Sequence, residues 1–277
     1  MMDQQLLSPP REDGDDGLRF AANLKWLFTD LPIEARIPAA AEHGFRAVEY
    51  PDPYGLSVDS LRRMLTQHGM ELALINTPPR TESGRTVTGI ACDPSLRTEF
   101  RSGVELALEY AAGLGAPLVH VVAGPVPADV TFERAWAAYL LNIAWAAEAA
   151  ESTDVTLLIE PQNRRSSPGF LLTSQAQAAT VIDAVGSHRL RLLFDVFHVQ
   201  VQEGDVSAKL MQFAPIIRHV QIADAPNRTE PGTGELSWGQ VFRQLKQIEY
   251  RGWVGCEYSS TTPEGLRADW LTTWERP

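Results

Sequence analysis

The sequence predicts a single-domain α/β protein, a closed (β/α)8 or TIM barrel over residues 18–277, behind an acidic tail of residues 1–17. Three observations predict it. From residue 18 onward, eight short apolar runs alternate with stretches of helical period. The runs are nearly continuous in Val, Leu and Ile, as parallel strands covered on both faces are. The chain of 277 residues has the length of one barrel of about 250 residues. A doubly wound sheet would carry a glycine-rich phosphate turn after its first strand, and that position here reads Asn23-Leu24-Lys25-Trp26.

In chain order, residues 1–17 lack either periodicity, are rich in Asp, Pro and Gly, and are expected to be disordered. Strands are expected at 19–24, 47–50, 72–76, 118–123, 155–160, 190–195, 216–223 and 253–257. Helices are expected at 32–43, 58–68, 94–114, 132–151, 174–185, 206–213, 238–248 and 263–274. The first opens on Pro32, and four of them stop at Gly44, Gly69, Gly115 and Gly186. Proline fits the first turn, where its missing N–H goes unused, and glycine fits just past the end.

Composition excludes several function classes. Thirty-five acidic residues against 24 basic give a net charge of −11, of which −4 falls in the tail. Nucleic-acid binding depends on Lys and Arg neutralising phosphates, so no nucleic-acid partner is expected, and no anionic membrane surface either. Cys92 and Cys256 lie far apart and outside any CxxC pattern, against both a disulfide framework and a cysteine zinc site. No signal peptide and no apolar stretch of membrane-spanning length is visible, so a cytoplasmic location is expected. No surface patch declares a homo-oligomer.

Chemistry in such barrels collects where strands end. The last four runs end alike, at or near Glu160, Asp195, Gln221 and Glu257. Carboxylates converging in a semi-apolar cup repel one another and resist ionisation. A divalent cation removes that conflict, and an oxygen-only ligand set suits Mg²⁺ or Mn²⁺ better than zinc. Around it, His198 follows Asp195 by three residues, His120 lies in the fourth strand, and Glu49 and Asn76 end the second and third. Asn23 lies near the end of the first. His219 shares the side of Gln221 but one layer deeper. Arg228, after the seventh strand, is the candidate for holding an anionic substrate, with Arg164 and Arg165 as alternatives. Gly232-Thr-Gly234 reads as a tight turn, not a phosphate loop.

These residues also resemble a known family. Phe20-Ala-Ala-Asn-Leu24 with Phe28-Thr29, Glu160-Pro-Gln-Asn163 with Pro168-Gly169, and Phe194-Asp195-Val-Phe-His198 are similar to hydroxypyruvate isomerases. So are His219-Val-Gln-Ile-Ala-Asp224, Glu230-Pro-Gly-Thr-Gly-Glu235 and Gly255-Cys-Glu-Tyr258. The resemblance spans about residues 18–260 and extends, in its Glu-Pro, Asp-x-x-His and Gly-x-Glu elements, to the wider xylose-isomerase-like barrels. It implies a divalent ion on Glu160, Asp195, Gln221 and Glu257, with Glu160 and Glu257 handling protons and no organic cofactor. The reaction it implies interconverts hydroxypyruvate and tartronate semialdehyde through an enediolate. The alternatives are a longer 2-oxo acid of the 2-oxo-tetronate type or a ketose epimerisation, then a barrel endonuclease or a non-catalytic sugar-binding barrel. The substrate expected throughout is a small anionic 2-oxo acid or sugar.

Overall fold

A computed structural model of the chain describes residues 17–82 and 85–260. The elements run β1 (Arg19–Asn23), α1 (Ile33–Glu42), β2 (Ala47–Glu49), α2 (Val58–Gln67) and β3 (Glu71–Asn76). Then come β4 (Arg80–Glu82), β5 (Arg85–Val87), α3 (Arg97–Leu114), β6 (Leu118–His120), α4 (Phe132–Ala150), β7 (Thr156–Ile159) and α5 (Gln175–Val185). The chain continues through β8 (Leu190–Asp195), α6 (Val196–Gln202), α7 (Val206–Phe213), β9 (Ile217–Ile222), α8 (Trp238–Gln247) and β10 (Trp253–Cys256). Eight strands close into a barrel in the order β1-β10-β9-β8-β7-β6-β3-β2, every pairing parallel. The expected (β/α)8 barrel is therefore observed.

Helix stops follow the glycines: Gly115 and Gly186 cap α3 and α5 in the left-handed conformation (φ 71° and 66°), which glycine adopts without steric cost. The longer helices turn an apolar stripe inward. On α4 the buried set is Ala135, Tyr139, Asn142, Ile143, Ala146, Ala147 and Ala150, and the small alanines let that helix lie close to the strands.

Three features depart from expectation. A two-stranded antiparallel hairpin, β4–β5, follows β3, in a stretch with too few apolar residues to announce strands. α6 starts directly at Asp195, which caps it by accepting Phe197 N–H at 2.8 Å and His198 N–H at 3.4 Å. α3 begins at Arg97 behind a 3-10 turn over Pro94–Leu96, which Asp93 caps by accepting Ser95 N–H at 2.8 Å. The expected helix at 263–274 and residues 1–16 of the expected tail lie outside the described residues. Among the described residues no helix is long and apolar enough to cross a membrane.

The interior of the barrel is layered. Leu74, Leu118, Leu158 and Leu193, from β3, β6, β7 and β8, form a buried cluster separate from the core beneath the helices. Side chains on a strand repeat their direction every second residue. One step toward the C-terminal end of the same four strands therefore stand Asn76, His120, Glu160 and Asp195. The same step leads from Ala21 to Asn23, from Ala47 to Glu49, from His219 to Gln221 and from Gly255 to Glu257. Each of the eight strands thus delivers one polar residue to a ring above a floor that is apolar except at His219.

Candidate active site

Three members of that ring, Glu160, Asp195 and Glu257, crowd one side of the mouth. Glu160 and Asp195 are buried, and with His198 they offer ligand atoms that all lie within 4.8 Å of one another. Arg228 bridges Asp195 and Glu257: its Nη2 stands 3.2 Å from Asp195 Oδ2 and 2.9 Å from Glu257 Oε1. The guanidinium is held between Trp26 and Phe197, at 4.4 and 5.0 Å from the ring centroids, a cation–π sandwich. Its backbone sits in the left-handed region (φ 58°), an unfavourable conformation for a side chain, with its N–H bonded to Asp224 O at 2.9 Å.

Asp195 divides its two oxygens. Oδ1 caps α6, and Oδ2 faces Arg228 and, at 3.6 Å, His198 Nε2. Helix capping and site chemistry are thus both served by one side chain. The register adds that Asp195 pairs with Gln221 on β9, and that Gln221 pairs with Gly255 on β10, so these neighbours line up side by side at the barrel's end.

The electrostatics follow from crowding. Burial, and after it the carboxylates of Asp195 and Glu257, hold Glu160 well above the usual carboxylate range, against a hydrogen bond from Gln162 Nε2 at 2.7 Å. Burial pushes Asp195 up to about 7 even though the adjacent Arg228 pulls it down. Glu257 is raised for the same first reason, with Arg228 and the Trp26 indole, which donates to Oε1 at 2.9 Å, acting against it. His120, 3.7 Å from Glu160 Oε2, is lowered to about 3 by burial and by His219 and Lys25, and is neutral at pH 7.

The tautomer of His198 is fixed by its neighbours. Its Nδ1 accepts the backbone N–H of Asn163 at 3.0 Å and faces Asn163 Nδ2 at 2.7 Å. The Asn163 amide cannot turn over, because its Oδ1 accepts Ser166 N–H at 2.8 Å. Nδ1 is therefore unprotonated, and the ring's one proton sits on Nε2. Burial, then Arg228, keeps the ring well below its ordinary pKa. A protonated Nε2 has no lone pair for a metal, so His198 enters this site as a hydrogen-bond donor. Its 3.3 Å approach to Arg228 Nη1 sets two donors side by side and is not a hydrogen bond.

Of the other expected residues, Asn76 pairs in register with His120 at the end of β3, and its Oδ1 is buried without a hydrogen-bond partner. Glu49 stands deeper than a mouth residue: it is fully buried, with both oxygens engaged by Asn23, His219 and Gln221. Arg165 is tied to Pro226 O at 2.7 Å. Asp224, which also ends the β9 run, faces away. It gathers the N–H groups of Gly232, Gly234 and Leu236 and the Trp238 indole, and so organises the 224–238 loop. Gly232-Thr-Gly234 belongs to that turn. Trp26, Gln162 and Asn163 have direct roles here that spacing alone did not reveal. All three follow a strand end by three or four residues, which is the signal that would have found them.

The mouth opens into a cavity of about 440 Å³ lined by Lys25, Trp26, Gln162, Phe170, His198, Arg228 and Glu257, with Thr86, Val87 and Thr88 of the hairpin region overhead. That is the size of a small-molecule site. A larger cavity of about 600 Å³, lined among others by Ile182, His188, Arg191 and Phe213, lies at the opposite end of the barrel. None of the converging carboxylates reaches it, and its size does not make it the centre of chemistry.

A family profile described as Xylose isomerase-like TIM barrel matches residues 37–274. The hydroxypyruvate isomerase of Escherichia coli (strain K12) is 40% identical over 252 residues, 90% of this chain and 97% of its own. The 2-oxo-tetronate isomerase of Cupriavidus necator is 40% identical over 253 residues, 91% and 97% of the two chains. A crystal structure from Brucella melitensis, described as an AP endonuclease of family 2, superposes with a TM-score of 0.88 at 32% identity over 94% of this chain and all of its own.

Proposed function

The chain belongs to the xylose isomerase-like TIM barrel family and is an isomerase of its hydroxypyruvate and 2-oxo-tetronate branch, and from that premise we propose that it interconverts hydroxypyruvate and tartronate semialdehyde with a divalent cation. One observation carries the reading. Glu160, Asp195 and Glu257 converge beside a neutral histidine donor and an arginine, at the mouth of a small cavity.

The donors fit a hard cation. Three carboxylates held together by burial leave negative charge short of counter-charge, and Gln221, whose backbone pairs in register with Asp195, would add a fourth oxygen. Glu160, Asp195, Gln221 and Glu257 would hold Mg²⁺ or Mn²⁺. When bound, such an ion stabilises the negative charge that builds on the substrate's carbonyl and hydroxyl oxygens.

The chain's own residues do the rest. Isomerisation removes a proton from C3 of hydroxypyruvate and returns one to C2, through an enediolate. Glu160 and Glu257 form the acid–base pair, one taking the proton and the other supplying it. Their raised pKa values bring them nearer the operating pH, which suits proton transfer in both directions. His198 Nε2–H donates to a substrate oxygen, with its tautomer set by Asn163. Arg228 binds the substrate carboxylate, and its charge favours a 2-oxo acid over a neutral sugar. His120, beside Glu160, and Asn76, its partner in register, are the further candidates for substrate contact. Trp26 and Phe197 keep the guanidinium in place and water away from it.

The test is turnover, followed by NMR, of hydroxypyruvate to tartronate semialdehyde, with a four-carbon 2-oxo acid and a six-carbon ketose measured alongside. Chelation should abolish it, and undiminished turnover after chelation would sink the metal half of the reading. A preference for the four-carbon acid would keep the chemistry and change the substrate. The description carried by the Brucella structure sets a competing reading, cleavage of damaged DNA. The net charge of −11 opposes it, and binding of abasic duplex in a gel-shift at physiological salt would revive it.

A further inference from the structure

Glu49 crosses the barrel interior from β2 to β9. Its Oε1 meets His219 Nε2, and its Oε2 accepts from Asn23 Nδ2 at 2.7 Å and Gln221 Nε2 at 2.9 Å. A carboxylate without its proton only accepts, so all three partners must present nitrogen. Asn23 is committed independently, because its Oδ1 takes Lys25 N–H at 3.0 Å. The path is kept open by Gly255 on β10, where a Cβ would lie 2.0 Å from Glu49 Oε1.

For Gln221 the consequence is an orientation. Of the four oxygen donors, it alone has a head with two chemically different ends. With its nitrogen drawn to Glu49, its oxygen is turned from Glu49; with the amide reversed, an NH₂ group that cannot ligate a cation would face the carboxylates instead. We propose that Glu49 is a positioning residue whose task is to hold the Gln221 amide with its oxygen toward the ion. This rests on the ion-binding reading above. Groups that orient a ligand in this way typically change metal affinity by roughly 10–100-fold when removed.

A double-mutant cycle read by Mn²⁺ titration, with free Mn²⁺ followed by EPR, separates orientation from general damage. It uses the native protein, Glu49→Leu, Gln221→Glu and the double variant, each checked for fold by circular dichroism. Glu49→Leu should weaken Mn²⁺ binding roughly 10–100-fold when residue 221 is glutamine. It should cost nothing when that residue is glutamate, whose two oxygens are equivalent. Equal losses in both backgrounds, or no loss in the native background, would overturn the proposal. If Glu49→Leu does not fold, Glu49→Asp keeps the charge but withdraws the acceptor, and unchanged affinity in that variant overturns it equally. Absence of Mn²⁺ binding by the native protein would remove the ion-binding reading itself. A loss confined to the orientation test leaves that reading standing.

Discussion

Glu49 and Glu160 occupy the same kind of position, an inward-facing residue at the C-terminal end of a barrel strand, and meet opposite surroundings. Glu49 faces nitrogen: His219, Asn23 and Gln221 all turn donors to it. Glu160 faces oxygen, with Asp195 and Glu257 nearby and a single donor from Gln162, and is pushed well up in pKa. Composition does not separate the two. What separates them is the count of donors against competing carboxylates. A buried carboxylate ringed by donors holds structure together, whereas one crowded by its own kind stores an unmet charge that a cation or a proton must balance.

That contrast can be broken by substitution, starting with the largest effect. Glu257→Gln, and separately Glu160→Gln, should lower kcat by roughly 10²–10⁴-fold, the usual worth of a general acid or base. The Glu160 change should not lower the melting temperature of the metal-free protein, since it removes a carboxylate from a crowd, whereas Glu257 also loses its pairing with Arg228. A clear thermal loss in Glu160→Gln would place that residue with Glu49 instead. Conversely, Glu49→Leu strips three buried donors of their acceptor and should destabilise the fold by about 3–5 kcal/mol, measured by denaturant unfolding. A change below about 1 kcal/mol would mean that the network contributes little.

Acidity sharpens the contrast further. Asp195 has its pKa raised to about 7 in the folded chain from an ordinary 3.8, so the folded state keeps a proton that the unfolded chain releases. Its contribution to stability is complete below the ordinary value and is lost as pH rises through about 7. A cation held by Asp195, as proposed, would compete for the same oxygens. Mn²⁺ should therefore raise the melting temperature by several degrees at pH 8, about what a hundredfold excess over Kd gives, and by much less at pH 5. A gain independent of pH between those values would contradict the crowding account. The smallest effect is expected of Trp26→Phe, which removes the 2.9 Å indole bond to Glu257 Oε1 while keeping an aromatic face toward Arg228. A few-fold change in kcat with the pH optimum moved upward would match the loss of a donor that favours the ionised form.

The ring itself could be read from the chain because parallel strands announce themselves as apolar runs, and the residue that ends a run falls at the mouth. Glu160, Asp195, Gln221 and Glu257 needed nothing more. Depth was harder to see. Whether Glu49 looks outward or reaches across to His219 depends on Gly255, two strands away around the wall, and no local pattern encodes that distance. The tautomer of His198 depends on Asn163, 35 residues earlier, brought near by the parallel pairing of β7 with β8. α6 and the β4–β5 hairpin were missed for another reason. Each is held by a few hydrogen bonds and caps, Asp195 for the helix and the Arg80–Val87 pairing for the hairpin, and neither has a long apolar stripe.

For anyone sorting sequence variants of this protein, the glycine at 255 is the position to weigh with care. Gly255→Ala would pass as a conservative change in a strand, one that leaves every proposed proton-handling side chain in place. Yet the added methyl group would claim the space of a Glu49 oxygen and push that side chain off its partners. Damage of that sort would surface in an assay as a fault of metal loading, and the residue to blame would be one that never meets substrate.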